Sequence, residues 1–272
     1  MFSVIILTLN EERDLPRCLA SLGDCDDIVV LDSGSTDRTA EIARAAGARV
    51  FTRPFDNFAG QRNYGQRSIS FRHPWVFHLD ADEQLTPELI AECKKNDART
   101  DVDGLLVAPK MLWESQWVPH CTDFPAWQAR FVRAPEFSFI EVGHGQREAP
   151  HMRLDKLQTN YLHDLSSGGK EGETEWLEKH RRYARAEARA HLAAAGSVNI
   201  RDLVSGDRLR RRRALKHFSY ALPFRSALRF VYQYILRRGF LDGRAGLRYC
   251  QLLSRYEGFT AAELRTLRNS SR

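Results

Sequence analysis

Short apolar runs alternate with amphipathic segments through the first hundred residues. The run SVIILTL (3–9) is continuous and rich in β-branched residues, the pattern of a strand covered on both faces. It stops at Asn10, a good helix cap, followed by Glu11 and Glu12. Leu15, Cys18, Leu19 and Leu22 then recur at the spacing of one helical face. The unit repeats: DIVVLD (27–32) predicts a strand, SGST a turn, the next segment a helix stopped by Gly47, and ARVFTR (48–53) a third strand. A helix around AGQRNYGQRSI (59–69) leads to the strand WVFHL (75–79). Thr86-Pro87-Glu88 opens another helix with a cap, a proline in the first turn and a dipole-matching acid, and GLLVAP (104–109) is a further strand. The alternation predicts an α/β fold with a doubly wound, mostly parallel, Rossmann-like sheet, whose ligands bind at the carboxyl ends of its strands.

Three of those ends carry polar groups: Thr8 to Glu11, Asp32 to Gly34, and Asp80 with Asp82. The predicted architecture lines them along one edge, so groups far apart in sequence converge on one crevice. Two carboxylates at i and i+2 are unfavourable together unless a cation neutralises them. Mg²⁺ or Mn²⁺ with substrate phosphates is the usual solution, because such hard ions prefer a few carboxylates, waters and phosphoryl oxygens. Neither a G-x-G-x-x-G stretch after the first strand nor a P-loop is present. His78 reads as a hydrogen-bonded core histidine, and Asp37 as a brace for the turn SGSTD.

Residues 110–160 change character. The aromatic- and proline-rich stretch predicts a loop-rich shelf or antiparallel extension, with Trp113, Trp117 and Trp127 open between sugar stacking and packing. Arg130 and Arg133 either meet phosphate or are solvated. Residues 171–195 are strongly helical, with Trp176, His180, Tyr183 and Glu187 on one packing face.

Length and an ordinary 43% hydrophobic, 28% charged composition predict one large domain or a domain with an appendage. Five cysteines without a C-x-x-C pair argue against a disulfide framework or a zinc site. The segment MFSVIILTLN lacks the features of a secretory leader, and no run is long enough to span a bilayer, so a cytoplasmic location is expected. From residue 201 onward there are 17 Lys/Arg and 5 Asp/Glu, against 24 and 30 before it. A basic, aromatic-bearing tail on an acidic body points to an anionic partner surface.

The motifs VIILTLNEERDLPRCLASL, DIVVLDSGSTDRTAEIA, AGQRNYG and WVFHLDADE together resemble those of the inverting GT-A glycosyltransferases of family 2, particularly the lipopolysaccharide-core and exopolysaccharide glucosyltransferase group. The resemblance spans residues 1–150, and parts of the tail are similar to one polysaccharide-building subgroup. It implies metal-dependent, inverting transfer of a sugar from a nucleotide-sugar, a UDP-sugar, to a glycan or lipid-linked acceptor, with residues 1–160 as the catalytic domain and 161–272 as a helical, basic, amphipathic region. Thr8, Leu9, Asn10 and Glu11 match the nucleotide-contacting end of the first strand, and Asp32 the acid that reads base or ribose. Gln61 and Arg62 match a stretch against the nucleotide. Asp80 and Asp82 match the D-x-D that holds the diphosphate through Mg²⁺ or Mn²⁺. The base that takes the acceptor proton is sought in IEVGHGQRE, in the order Glu148, His144, Glu141, because this segment departs from the family pattern.

Rival readings are a D-x-D phosphatase, whose motif belongs after the first strand instead of the fourth, and an inactive scaffold, which the intact acids disfavour. In the tail, Phe224, Leu228, Val231, Tyr232, Ile235 and Leu236 share one side of a basic helix. Such a helix suits the headgroup region of an anionic membrane, placing the protein peripherally on the cytoplasmic face of the inner membrane. Nucleic acid is not expected, since no recognition module accompanies the charge.

Overall fold

The apolar run near the amino terminus becomes β1 (Ser3–Thr8), buried along nearly its whole length. In a computed structural model that describes all residues except 143–144, 167–169, 194–198, 207, 221 and 271–272, the chain forms two units. One holds Met1–Leu112 and Asp123–Ser167, the other Trp113–Thr122 and Gly168–Arg272. After β1 come α1 (Leu15–Ala20), β2 (Ile28–Asp32), α2 (Thr39–Ala45), β3 (Arg49–Thr52), α3 (Phe58–Ser68), β4 (Trp75–Asp80), β5 (Glu83–Gln84) and α4 (Pro87–Asn96). Next are β6 (Gly104–Trp113), β7 (Gln116–Trp117) in the second unit, β8 (Gln128–Arg133), β9 (Phe139–Val142), β10 (Gly145–Glu148) and β11 (Leu154–Asp164).

The main sheet runs β3-β2-β1-β4-β8-β6-β11-β5 among the described residues. Its first four strands are parallel. Strand β8 enters antiparallel between β4 and β6, β6 and β11 are parallel, and β5 pairs antiparallel with β11. This is the doubly wound, mostly parallel sheet expected, with its order reversing beside β1, where β2 lies on one side and β4 on the other.

Alternate residues of β1 explain its unbroken apolar run. Val4 and Ile6 join Leu15 and Cys18 of α1, Ala43 of α2 and Leu89 of α4 in one core. Ile5 faces the other way into a core with Val29, Leu31 and Val76. That second face is covered closely by α3: a Cβ on Gly65 would lie 2.4 Å from Ile5 Cδ1. Burial on both sides removes the need for alternation.

Local signals behave largely as read. Thr86 caps α4 by accepting from the Leu89 N–H, and Gly47 ends α2 with φ +80°, a left-handed conformation that glycine adopts without a Cβ penalty. Asn10 does not cap α1, which begins at Leu15 after Asp14 and has no side-chain cap. Asn10 instead sits at φ 57° and ties the end of β1 to the turn after β2: its N–H donates to Ser35 Oγ (2.8 Å) and its Oδ1 accepts from the Thr36 N–H (2.9 Å).

Two expectations for residues 110–160 change. Strands β8 and β11 are internal members of the main sheet and not parts of a shelf; only β9 and β10 form a separate hairpin. Because β11 continues to Asp164, the first unit runs past residue 160, while Trp113–Thr122 belongs with the helices.

The second unit contains α5 (Lys170–Ala193), α6 (Arg208–Ser219), α7 (Arg225–Phe230), continued by a π-helical turn Val231–Leu236, and α8 (Gly243–Ser270). Three of the four residues expected on the α5 packing face do pack: Trp176 is buried and stacked on His180, and Glu187 accepts hydrogen bonds from the hydroxyls of Tyr220 and Tyr256, while Tyr183 is exposed. Asp242, also buried, accepts from the backbone N–H of His120 and Cys121. No helix among the described residues is long and apolar enough to cross a membrane.

Asp27, just before β2, joins three parts of the first unit. Its carboxylate accepts from Ser3 Oγ (2.6 Å), the Arg72 N–H (2.7 Å) and Arg49 Nη2 (2.7 Å). Burial alone would raise this carboxyl, but the Arg72 N–H, the Ser3 hydroxyl and Arg49 outweigh it and hold it below its ordinary value. Its contribution is therefore complete above the unfolded carboxyl value near ~4 and is lost as pH falls through the lower folded value. Urea unfolding should show Asp27→Asn about 2 kcal/mol less stable at neutral pH, with the gap to the unaltered protein closing in acid.

Candidate active site

Strand register brings the expected ends together. Thr8 lies opposite Asp32 across β1 and β2, and Leu7 opposite Asp80 across β1 and β4, so all three ends sit on the carboxyl edge at the order reversal. Leu9 is exposed and Glu11 half-buried, with the Glu11 N–H donating to Thr39 Oγ1 at 2.7 Å.

Asp32 is buried and heavily bonded. Its Oδ1 accepts from Thr8 Oγ1 (2.9 Å) and the Ser35 hydroxyl, and its Oδ2 from the N–H groups of Gly34 (3.0 Å) and Ser35 (2.8 Å). Burial pushes the carboxyl up, but these bonds overcome it and hold the group below its usual range. The acid thus fixes the turn that follows β2. Asp37 braces the same turn, accepting from the N–H and hydroxyl of Thr39 and from the Glu12 N–H. Gln61 on α3 adds a third brace, donating to Ser33 Oγ (3.1 Å) and the Arg53 carbonyl (3.0 Å).

Asp80 stands between two buried arginines. Arg62 Nη2 on α3 donates to its Oδ1 at 2.8 Å, and Arg130 Nη2 on β8 to its Oδ2 at 3.1 Å. The arginine side chains are 1% and 4% exposed, that of Asp80 32%. Burial would lift Asp80, yet Arg130 and Arg62 keep it well below the ordinary carboxylate range. Arg130 is therefore neither solvated nor a free phosphate ligand. It also donates to Glu83 Oε1 (2.7 Å) and packs on the Tyr161 ring at 5.2 Å. Burial, with the charge of Asp80 adding to it, pushes Glu83 up to about 7 against the pull of Arg130. Glu83 accepts the Asp80 N–H at 2.9 Å and so shapes the loop between the two aspartates. Arg62 Nε and Nη1 are buried without a partner, an unusual cost for a guanidinium.

Asp82 faces a different neighbour. His163 Nε2, near the end of β11, lies 3.3 Å from Asp82 Oδ2, and the two side chains are 24% and 29% exposed. Burial pulls the imidazolium down, but the hydrogen bond and charge of Asp82, followed by Glu83 and Asp80, raise it to about 9. His163 was not among the residues singled out in the sequence. The signal available was the close of the strand LDKLQTNYLHD on a His-Asp pair. The neighbouring Asp164 is paired with Arg17 Nη1 at 3.0 Å.

The three base candidates fare differently. Glu141 and Glu148 lie on the β9–β10 hairpin, where Glu141 pairs with Gln146 and Glu148 with Phe139, so both acids share the face of the buried Phe139. Asn63 of α3 anchors this hairpin through both the N–H and the carbonyl of Phe139. His144 lies outside the described residues. His78 is a core residue in T-shaped contact with Phe139, but both its ring nitrogens lack hydrogen-bond partners, and burial holds it well below its ordinary value, hence neutral. Trp113 is buried against Tyr249, Trp127 lies under Lys156 Nζ, and Trp117 is exposed. Among the described residues no group of three His, Cys, Asp or Glu side chains could hold a metal by itself.

A mostly parallel α/β sheet with paired acids on its carboxyl edge offers a ligand crevice at the reversal of its strand order. Residues 3–119 match the family model described as Glycosyl transferase family 2. The lipopolysaccharide core biosynthesis glycosyltransferase LpsC of Rhizobium meliloti (strain 1021) is 41% identical over 101 residues, 33% of this chain and 37% of that protein. The uncharacterized glycosyltransferase RT0209 of Rickettsia typhi is 36% identical over 88 residues, 32% of this chain and 30% of that protein. The chain thus spans about a third of the length of these relatives. S. aureus TarS 1–349 in complex with UDP-GlcNAc aligns over 99% of this chain and 92% of its own, with 16% identity and a TM-score of 0.45. Glucosyl-3-phosphoglycerate synthase from Mycobacterium tuberculosis in complex with Mn²⁺, UDP and glucosyl-3-phosphoglycerate aligns over 41% and 44%, with 26% identity and a TM-score of 0.34.

Removing the carboxylate charge beneath the site should be costly even without ligand. Asp80→Asn leaves two buried guanidinium groups without their shared counter-charge. It should lose about 2–4 kcal/mol in urea unfolding in chelator-containing buffer, less than a fully buried pair because Asp80 is partly exposed.

Proposed function

We propose that the first unit transfers a sugar, with inversion, from a nucleotide-sugar, specifically a UDP-sugar, to a glycan or lipid-linked acceptor in lipopolysaccharide or exopolysaccharide biosynthesis. The observation that carries this reading is the Asp82–His163 pair, partly exposed beside an Asp80 already engaged by two arginines.

The donor set fits Mg²⁺ or Mn²⁺. A carboxylate and an imidazole that gives up its proton on metal binding suit Mn²⁺ and would leave its remaining positions to waters and diphosphate oxygens, as expected for a site completed by substrate. Asp82 and His163 would hold the ion, which when bound stabilises charge on the departing nucleoside diphosphate. Asp80, matched to the same motif, contributes by fixing Arg62 and Arg130 beneath that position. Their two positive charges exceed the one carried by Asp80, which favours an anionic ligand nearby. The turn held by Asp32, Asn10 and Gln61, with Thr8, Leu9 and Glu11 beside it, would form the nucleoside side of the crevice.

Glu148 is the first choice for the group that accepts the acceptor hydroxyl's proton, ahead of His144 and Glu141. Glu148 and Glu141 share a hairpin tied to α3, the helix that carries Arg62, which supports seeking the base in this segment. A phosphatase reading would make Asp80 the nucleophile, which a carboxylate shared by two guanidinium groups suits poorly. The likeness to LpsC supports an acceptor in the lipopolysaccharide core. Such an acceptor would be met at an anionic membrane surface, on the cytoplasmic face of the inner membrane.

A panel of UDP-, GDP- and dTDP-sugars, titrated with and without Mn²⁺, tests the donor reading. One donor should bind in a metal-dependent way, and Asp82→Ala or His163→Ala should weaken Mn²⁺-dependent binding by about 10–100-fold or more. Metal-independent binding, or none to any donor, would overturn it. Glu148→Gln should leave donor binding unchanged while slowing nucleotide release by about 100-fold or more.

A further inference from the structure

The second unit presents an exposed apolar face that its own packing leaves open. Phe224, Leu228, Val231, Tyr232, Ile235 and Leu236 are 84%, 47%, 46%, 44%, 51% and 70% exposed, and Leu222, Phe240 and Leu241 extend the strip at 52%, 47% and 56%. Spacings of four, three and four residues keep the central positions on one side of α7 and its π-helical continuation. Isolated exposed apolar side chains are ordinary on a protein surface; nine large ones within twenty residues are not.

The opposite side of the same turn is fixed by polar contacts. Buried Gln233 donates through Nε2 to the Cys121 carbonyl (2.6 Å), and Arg237 Nη2 donates to the Thr122 carbonyl (2.5 Å). Arg225 is pinned by Glu257 at 2.6 Å. These anchors hold the helix in one rotation, so the apolar strip is a built feature of the unit and not the exposed back of a loose helix.

The charge around the strip selects its occupant. The strip's own segment, residues 222–241, contains four arginines and no Asp or Glu, and six further Lys/Arg precede it in sequence over residues 208–216. Beside Leu222 and Phe224 a cleft of about 540 Å³ runs against α8, with Leu264 in its lining and Arg265 and Arg268 among the residues around it. A second copy of this chain would bring like charge against like. Nucleic acid would use the arginines but leave the apolar strip in water. A bilayer of anionic phospholipid satisfies both, taking the apolar residues below the headgroups and the arginines among the phosphates.

We infer that residues 222–241 insert into the headgroup region of an anionic phospholipid bilayer and seat the chain on it, an inference that rests on the membrane-surface reading of the proposed function and supplies its contact surface. Vesicle cosedimentation tests this without donor or acceptor, using phosphatidylcholine alone and an equal mixture of phosphatidylcholine and phosphatidylglycerol. The full chain should pellet with the mixed vesicles and not with phosphatidylcholine alone. The double substitution Ile235→Ser, Leu236→Ser, at two exposed positions, should preserve the circular dichroism and unfolding midpoint while weakening vesicle binding about tenfold or more. A second variant, Leu228→Ser, should weaken it further in the same direction.

Failure to bind the mixed vesicles, or binding that the serine variants leave unchanged, would overturn the inference. So would concentration-dependent dimerisation that the same variants abolish while vesicle binding is absent. Because the readout involves no nucleotide, a negative result here leaves metal-dependent donor binding standing, and loss of donor binding leaves vesicle binding standing.

Discussion

Two guanidinium groups, Arg62 and Arg130, are buried under the carboxyl edge of the sheet, and one carboxylate, Asp80, lies between them. Their placement depends on most of the first unit. Arg62 comes from the helix that closes one face of the sheet, Arg130 from the antiparallel strand beside β4, and Asp80 from the end of β4 itself. Charges so little exposed are tolerable only with a counter-charge in place. The acid-arginine cluster therefore links helix position, strand order and the shape of the loop that presents Asp82. Electrostatic preorganisation of this kind is already present in the folded chain before any ligand arrives.

Much of this was legible from residue patterns, because the parallel half of the sheet writes strong signals. A strand buried on both faces reads as a continuous apolar run, and acids or small polar residues after it mark the carboxyl edge. Thr8, Asp32 and Asp80 were found in that way, and register confirms that their strands are neighbours. The partners of those acids were harder to read. Arginine inside the strand QARFVR reads in sequence as solvated or phosphate-facing, and only strand order reveals that β8 lies between β4 and β6 and carries Arg130 inward. Asn10 shows the same limit at short range: its chemistry suits a helix cap, but a left-handed backbone directs it to the neighbouring turn.

His163 was illegible for a related reason. It follows a register irregularity in β11 and reaches the site from a strand paired to β6, far from the motifs that define the edge. Its neighbours Asp82 and Glu83 are close in space but eighty-one and eighty positions earlier in the chain. Local periodicity carries no information about such a pairing. The apolar strip at 224–236 was readable because its periodicity is local, and exposure is what the three-dimensional structure adds to it.

The path of the chain between the units has a consequence of its own. After β6 the polypeptide leaves the first unit, contributes Trp113–Thr122 to the second, and returns as Asp123. Within that excursion Trp113 packs on Tyr249, and the backbone N–H groups of His120 and Cys121 rest on the carboxylate of Asp242. The residues of the two units thus interleave along the sequence. Neither can be cut out as an uninterrupted length of polypeptide. A chain ending at Ser167 would keep the excursion but strip Trp113 and Cys121 of the residues that bury them. A cut at Ser167 therefore divides the helical unit between two lengths of polypeptide instead of separating two whole domains.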